Sequence, residues 1–166
     1  ELKDFKFFKY LVEDVQVNVD VEEVLNKSDD PRIIKYMINY SKNKSRPKNI
    51  TSSRNIIKTK ILEENGFSFN EKSIKYFKGV DNINYLFDIT KDEEMKFEFL
   101  KSQAITPYIL KNLFLMNKEK TKEGFKKHCR YISHKTSTLA YELGILNIFR
   151  EEDELYNFFG NYSGKS

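Results

Sequence analysis

Apolar residues recur along most of this chain with the spacing of amphipathic helices. One such stripe covers 33–40, and Asp29-Asp30-Pro31 precedes it as a typical helix start, because acids stand ahead of a proline suited to the first turn. A second helix is predicted to follow the capping-type residues Thr51-Ser52-Ser53 and to end at Asn65-Gly66. Its predicted apolar face comprises Ile56, Ile57, Ile61 and Leu62.

Other short segments alternate apolar and polar residues with a period of two, which is the pattern of β-strands. They are 15–21, 67–69 and 94–99, and the apolar residues Ile145, Leu146 and Ile148 predict a further short strand. In the first segment Asp20 also fits the cap of a short helix that runs to Leu25, so both interpretations stand. The pattern as a whole predicts a mainly α fold with a few short β-strands.

The helical pattern continues through the second half of the chain. Short helices are predicted over 71–78 and 81–88, and a longer one begins at Thr106-Pro107. Thr121 is predicted to cap a further helix, and the next one follows Ser133 and ends at Gly144. We expect an N-terminal unit over 1–100 and a C-terminal unit over 101–166, or one continuous domain.

The composition favours a folded protein in spite of its charge. Only 39% of the residues are apolar, but fourteen Phe and ten Tyr supply core material that disordered chains lack. No apolar run approaches the length of about 20 residues that a bilayer span requires. Cys129 is the single cysteine, which excludes an intramolecular disulfide and fits a reducing compartment. We therefore expect an intracellular, cytoplasmic protein.

Positive charge is concentrated in two blocks, although the net charge of the chain is only +4. Residues 31–62 contain nine lysines and arginines and no aspartate or glutamate. Residues 101–135 contain nine cations against two glutamates. A polyanion responds to the local field more than to net charge, so these blocks indicate nucleic acid as the partner.

The stretch Thr121–Phe149 predicts a helix, a short turn at Ser133, a second helix that ends at glycine, and an apolar strand. This layout resembles the winged-helix superfamily of helix-turn-helix proteins, in which the second helix enters the major groove and a β-hairpin touches the backbone. Residues 32–69 resemble the same layout with a longer loop between the helices. The resemblance implies one or two winged-helix-like units that bind double-stranded DNA in a sequence-specific way.

In each unit, hydroxyl and basic residues near the second helix are expected to meet phosphates and base edges. The candidates in the first unit are Arg46, Lys48, Ser52, Ser53, Arg54, Asn55, Lys58 and Lys60. The candidates in the second are Lys126, Lys127, Arg130, His134, Lys135, Thr136, Ser137 and Thr138. Tyr40, beside the 41–49 loop, is the aromatic residue best placed to stack on a base.

We expect double-stranded DNA as the partner, together with other domains or subunits of a larger protein, and neither a membrane nor a cofactor. A transcriptional regulator, a replication initiator and the recognition domain of a larger nuclease all suit this chemistry. The alternative from another class is a helical interaction module that docks an acidic protein partner. The protein is not expected to be an enzyme by itself.

Metal chemistry has less support. A structural zinc requires four ligands, and His128, Cys129 and His134 are the only soft candidates in the sequence, so no metal site is predicted. A metal-dependent nuclease acting through Asp88, Glu94 and Lys96 is the third hypothesis, because a strand over 94–99 would place Glu94 and Lys96 on one face.

Overall fold

A computed structural model of the protein describes residues 5–44, 50–102, 105–129 and 132–146. Within these ranges the chain is mainly helical, as predicted. The helices are α1 (Phe5–Glu13), α2 (Val21–Lys27), α3 (Pro31–Tyr40), α4 (Ile56–Glu64), α5 (Glu71–Tyr76), α6 (Val80–Ile89), α7 (Glu93–Glu98), α8 (Pro107–Met116), α9 (Lys118–His128) and α10 (His134–Glu142). Short 3-10 helices cover Ser41–Asn43 and Phe99–Lys101. The chain forms two compact units, Glu1–Asn82 and Ile83–Ser166.

The predicted ends of α4 and α10 are confirmed, and both use the same glycine motif. Gly66 has a φ of 81°, and the next residue, Phe67, donates its N–H to the carbonyl of Leu62 at 3.1 Å. Gly144 has a φ of 72°, and Ile145 likewise donates to Ala140 at 2.9 Å. Each bond satisfies a carbonyl in the last helical turn, which only a left-handed residue at the glycine position permits.

The described residues contain no strand. Residues 94–99 were predicted as a strand, and this is wrong, because Glu93–Glu98 is helix α7. Asp92 caps that helix by accepting the N–H of Met95 at 2.8 Å, and two glutamates follow in its first turn, so local capping outweighed a short alternation. At 15–21 the helical alternative is confirmed, since Asp20 caps α2. The predicted segment 145–148 extends beyond the described residues.

The core of the N-terminal unit is built around α3. Ile33, Ile34, Met37 and Ile38 form a continuous buried face of that helix. Helix α1 packs beside α3, where the Tyr36 ring meets aromatic rings of α1 edge to face and its hydroxyl donates to Glu13 at 3.0 Å. The remaining members of this core are Phe8, Val12, Val21, Leu25, Ile50, Ile61, Leu62 and Phe67.

The C-terminal unit places α8 at its centre. Ile109, Leu110 and Leu113 of this helix are fully buried. Phe87 of α6 packs edge to face on Phe99, with ring centroids 5.3 Å apart. Further buried residues come from the other elements of the unit, and they are Ile83, Leu86, Phe97, Leu100, Ile105, Phe125, Ile132, Ala140 and Ile145.

The two units share an order of local features. Each contains a helix with a Tyr-Leu-apolar-acid stretch, a short helix capped by aspartate, a helix with proline in its first position, and a helix that ends in the glycine motif. The acid of the first helix accepts a tyrosine hydroxyl in both: Glu13 from Tyr36 and Asp88 from Tyr108. Corresponding buried positions are Phe8 and Ile83, and Val12 and Phe87. One half of the chain can therefore serve as an internal reference for the other.

Candidate nucleic-acid interface

Helices α8, α9 and α10 follow one another in the C-terminal unit, and α8 packs against both of the others. Asn117 alone separates α8 from α9, donating its N–H to Leu113 at 2.9 Å and accepting the N–H of Lys120 at 3.0 Å through its side chain. Thr121 was predicted as the cap, and this is wrong. It is fully buried inside the helix, where its hydroxyl donates to the carbonyl of Asn117 at 2.7 Å.

Helix α9 lies against the 3-10 turn Phe99–Lys101. At Gly124 a Cβ atom would stand 2.7 Å from Cδ1 of Leu100, so the absence of a side chain allows this close approach. Phe125 is buried beside it, and the thiol of Cys129 donates to the carbonyl of Leu100 at 3.2 Å. Burial raises the pKa of Cys129 to about 12, so the thiol is a structural group and not a nucleophile.

Helix α10 is held to the protein by Thr136, which had been predicted to contact DNA. That prediction is wrong, because Thr136 is fully buried. Its hydroxyl donates to the carbonyl of Ile105 at 3.2 Å and lies 2.9 Å from the hydroxyl of Ser133, the cap of the helix. Position 136 shares a face with Leu139 and Ala140, three and four residues on, and this spacing was the available signal of its burial.

The other predicted residues of this unit lie at or near its surface. Lys126, Lys127, His134, Lys135 and Thr138 are exposed. The half-buried Ser137 donates its hydroxyl to the carbonyl of His134 at 2.7 Å, and Thr138 donates to the same carbonyl at 2.9 Å. Both hydroxyls can therefore accept a hydrogen bond from a ligand more readily than donate one. Arg130 lies outside the described residues.

A second acid-free stretch coincides with this arrangement and was missed in the sequence. Residues 124–141, from the middle of α9 to the end of α10, contain no aspartate or glutamate. They do contain Lys126, Lys127, Arg130, Lys135 and two histidines. Glu123 lies three and four residues before Lys126 and Lys127 on the same helix, but residues 123–141 still carry four cations against this one acid, which favours an anionic ligand.

We expect Thr136→Val to destabilise the protein by about 1 to 2 kcal/mol, since it leaves the buried carbonyl of Ile105 without a donor. Urea unfolding measures the change. Thr138→Val is the matched control, because its hydroxyl is exposed and bonds only within its own helix. Equal effects of the two substitutions would contradict the structural role of Thr136.

In the N-terminal unit, Lys58 was predicted to contact DNA, and this is also wrong. Its side chain is 0% exposed. The ammonium donates to the carbonyls of Ser28 at 2.6 Å and Asn26 at 3.2 Å, and lies 3.6 Å from Oδ1 of Asp29. These carbonyls belong to the C-terminal end of α2, where the helix dipole favours a cation. Lys58 of α4 therefore caps the C-terminal end of α2 and has a structural role.

Burial lowers the pKa of Lys58 from 10.5 to about 8, and the neighbouring Asp29 carboxylate opposes part of that shift. The ammonium remains the dominant form at neutral pH. The ammonium interacts with two internal carbonyls and with the Asp29 carboxylate, so its charge adds little to the electrostatic field at the protein surface.

The loop before α4 is held by an internal polar network. Ser53 is fully buried, with its hydroxyl 2.8 Å from that of Thr59, and its carbonyl accepts from the side chain of Asn82 at 3.0 Å. Asn55 caps α4 by accepting the N–H of Ile57 at 2.7 Å. Ser53 and Asn55 therefore have structural roles, and the predicted capping triplet lies just upstream of the true cap.

Two predicted residues of this unit, Arg54 and Lys60, are exposed, and Ser52 is half-buried. Arg46 and Lys48 lie outside the described residues. The side chain of Ile57 is 53% exposed, so the apolar face predicted for α4 is narrower than expected. The outer side of α4 thus offers few cations for a polyanion.

Helix α3 presents a basic stripe that the sequence prediction did not assign. Arg32, Lys35, Asn39 and Lys42 are exposed and recur three or four residues apart, which places them along one side of α3 and the following turn. Arg32 also bonds to the carboxylate of Asp30 at 2.9 Å and lowers the pKa of that group. Of the exposed cations of the first block in the described residues, Arg32 and Lys35 lie on α3, Lys42 and Lys44 in the turn after it, Arg54 just before α4, and Lys60 on α4.

The nuclease candidates do not converge. Because α7 is a helix, Glu94 and Lys96 point about 200° apart at 100° per residue. Glu94 pairs with Lys120 at 3.0 Å, and Asp88 accepts the hydroxyl of Tyr108 at 2.7 Å. Among the described residues, no group of three or more His, Cys, Asp or Glu side chains is arranged to hold a metal ion.

Comparisons with protein-family models, curated proteins and solved structures gave no match to this chain. None of the helices in the described part of the chain combines the length and apolar character needed to cross a bilayer.

Proposed function

We propose that the C-terminal unit binds double-stranded DNA through the exposed side of α9 and α10. The observation that supports this function best is that the acid-free segment 124–141 covers the end of α9 and all but the last residue of α10, and that its lysines are exposed. On the buried side, Thr136 of α10 and Cys129 at the end of α9 donate hydrogen bonds to the carbonyls of Ile105 and Leu100. The outer side is left for a ligand.

In this proposal Lys126 and Lys127 bind phosphates at the end of α9. His134 and Lys135, in the first turn of α10, contact phosphate or base edges, and Thr138 follows one turn later on the exposed side. Backbone N–H groups at the start of α10 add a favourable field for an anion.

The winged-helix form of this unit stays a proposal. Its wing would include residues 147–150, which lie outside the described residues. A three-helix arrangement without a wing would use the same side of α10. Sequence-specific binding by such a unit suits a regulator, a replication initiator or the recognition domain of a larger nuclease, with other domains or subunits as partners inside a cell.

Replacing Lys126, Lys127 and Lys135 together by alanine is expected to weaken binding to a mixed-sequence duplex. The slope of log affinity against log salt should also fall by about 0.9 for each lysine that contacts a phosphate. Fluorescence anisotropy over a salt series measures both quantities. All three side chains are exposed, so the fold should survive, which circular dichroism can verify.

A matched control removes Lys72, Lys75 and Lys78, which are exposed in and after α5 and carry the same total charge. If both triple variants lose affinity equally, binding depends only on overall charge, and the proposed surface is wrong. Equal competition by polyglutamate and duplex would instead favour the alternative function, a module that docks an acidic protein.

A further inference from the structure

A second feature of the surface has no role in the duplex proposal. Helix α1 exposes two large aromatic rings, Phe7 and Tyr10, each with 52% of its surface in solvent. The lysines Lys6 and Lys9 of the same helix are also exposed. Contact of apolar ring surface with water costs free energy, so a pair of exposed rings beside cations requires an explanation.

The four side chains form one continuous outer side of α1. Phe7 and Tyr10 are three residues apart, Lys6 and Tyr10 four, and Lys6 and Lys9 three, and such pairs are neighbours on a helix. The inner side is separate, since Phe8 and Val12 are buried in the core. An aromatic strip therefore runs alongside a cationic strip on this short helix.

Cations also occur on the neighbouring helix α3. The guanidinium of Arg32 lies 5.7 Å from the centre of the Phe5 ring, and it also pairs with Asp30 at 2.9 Å. Acids stand at both ends of α1, with Asp4 directly before it in the sequence and Glu13 bonded to the hydroxyl of Tyr36 at its end. Lys6 and Lys9 are therefore the cations that lie beside the two rings on α1 itself.

In the helix that corresponds to α1, Tyr10 is matched by Tyr85, and the other three residues differ. In α6, the helix that corresponds to α1, the buried positions and the tyrosine-bonded acid are retained. The positions that correspond to Lys6, Phe7 and Lys9 are Asp81, Asn82 and Asn84. The shared pattern therefore does not require lysine at the positions of Lys6 and Lys9, which in α6 hold an acid and an amide.

We propose that α1 is a stacking site for single-stranded nucleic acid. Bases would stack on Phe7 and Tyr10, while Lys6 and Lys9 neutralise the phosphates between them. Residues three apart on a helix have Cβ atoms about 5–6 Å apart, so the two rings are close enough to stack on neighbouring bases of one strand. Tyr40, the aromatic residue expected from the sequence, is half-buried and has the ammonium of Lys44 3.8 Å from its ring centre, which leaves it less available for a base.

The test uses the full chain and a labelled oligothymidylate in an anisotropy titration. The double variant Phe7→Leu with Tyr10→Leu keeps apolar bulk but removes both aromatic faces. We expect it to lose at least about five-fold in affinity for the oligonucleotide, because stacking of one base is worth roughly 1–3 kcal/mol. Its affinity for a duplex should stay unchanged, since the duplex proposal uses other residues.

Tyr76→Leu is the control, because this tyrosine is exposed but lies on another helix. Unchanged oligonucleotide affinity in the α1 variant would overturn the proposal. So would tighter binding of the wild type to phosphatidylserine vesicles than to oligothymidylate, which would assign the α1 surface to an anionic membrane. Failure of duplex binding alone would leave this result intact, so the two proposals are tested separately.

Discussion

Lys58→Ala is expected to destabilise the protein by about 2 to 4 kcal/mol, although lysine is usually a surface residue. The substitution removes a fully buried stem and leaves the carbonyls of Asn26 and Ser28 without their donor. Relief from burying a charge offsets part of this loss. The measurement is the free energy of unfolding in urea near neutral pH.

Lys60→Ala provides the matched control for Lys58→Ala. The two lysines lie on the same helix, and Lys60 is exposed, so its replacement should change stability by less than about 0.5 kcal/mol. Lys58→Ala should leave duplex affinity unchanged wherever the protein remains folded. A stable Lys58→Ala variant with reduced DNA affinity would restore Lys58 as a DNA contact and contradict its structural role.

The second large effect is a dependence of stability on pH. Below pH 8 the folded and unfolded chains both hold the Lys58 proton, so burial of the ammonium lowers stability in full. Between pH 8 and 10.5 the folded protein has released this proton while the unfolded chain still binds it. Unfolding then takes up a proton, so the contribution of Lys58 to stability rises with pH.

Comparison with Lys58→Met isolates this contribution, because methionine retains an apolar stem and does not titrate. The difference in unfolding free energy, wild type minus variant, should rise by about 3 kcal/mol between pH 8 and 10.5. Tyr36 and Cys129 have raised pKa values and act in the opposite direction, but they are present in both proteins and cancel in the difference. A difference independent of pH would show that the ammonium is solvated in the folded state.

Local signals predicted the helices well, because capping and termination are encoded in neighbouring residues. Asp30 with Pro31 at the start of α3, and Gly66 and Gly144 after α4 and α10, act within one turn of where they stand in the chain. The segment 94–99 was predicted wrongly because three alternating apolar residues suggested a strand, whereas Asp92 and the glutamates after it favoured a helix.

The candidate site was harder to predict, since counting charges does not separate exposed cations from buried ones. Lys58 belongs to the densest basic block, yet it shares a helical face with Ile61 and Leu62, and that spacing indicated burial. Its partners Asn26 and Ser28 lie about thirty residues earlier in the chain, and only the tertiary structure brings them together. The exposure of the Phe7 and Tyr10 rings could likewise be predicted only by knowing which face of α1 packs on α3.

The connection between α8 and α9 has a consequence for how tightly a ligand can bind. Asn117 ends one helix and begins the next, so no flexible loop separates the buried face of α8 from α9, the helix whose far end holds Lys126 and Lys127. The direction of α9 is therefore determined by core packing before any ligand arrives. Association at that surface then loses little backbone entropy, and more of the interaction free energy remains as affinity.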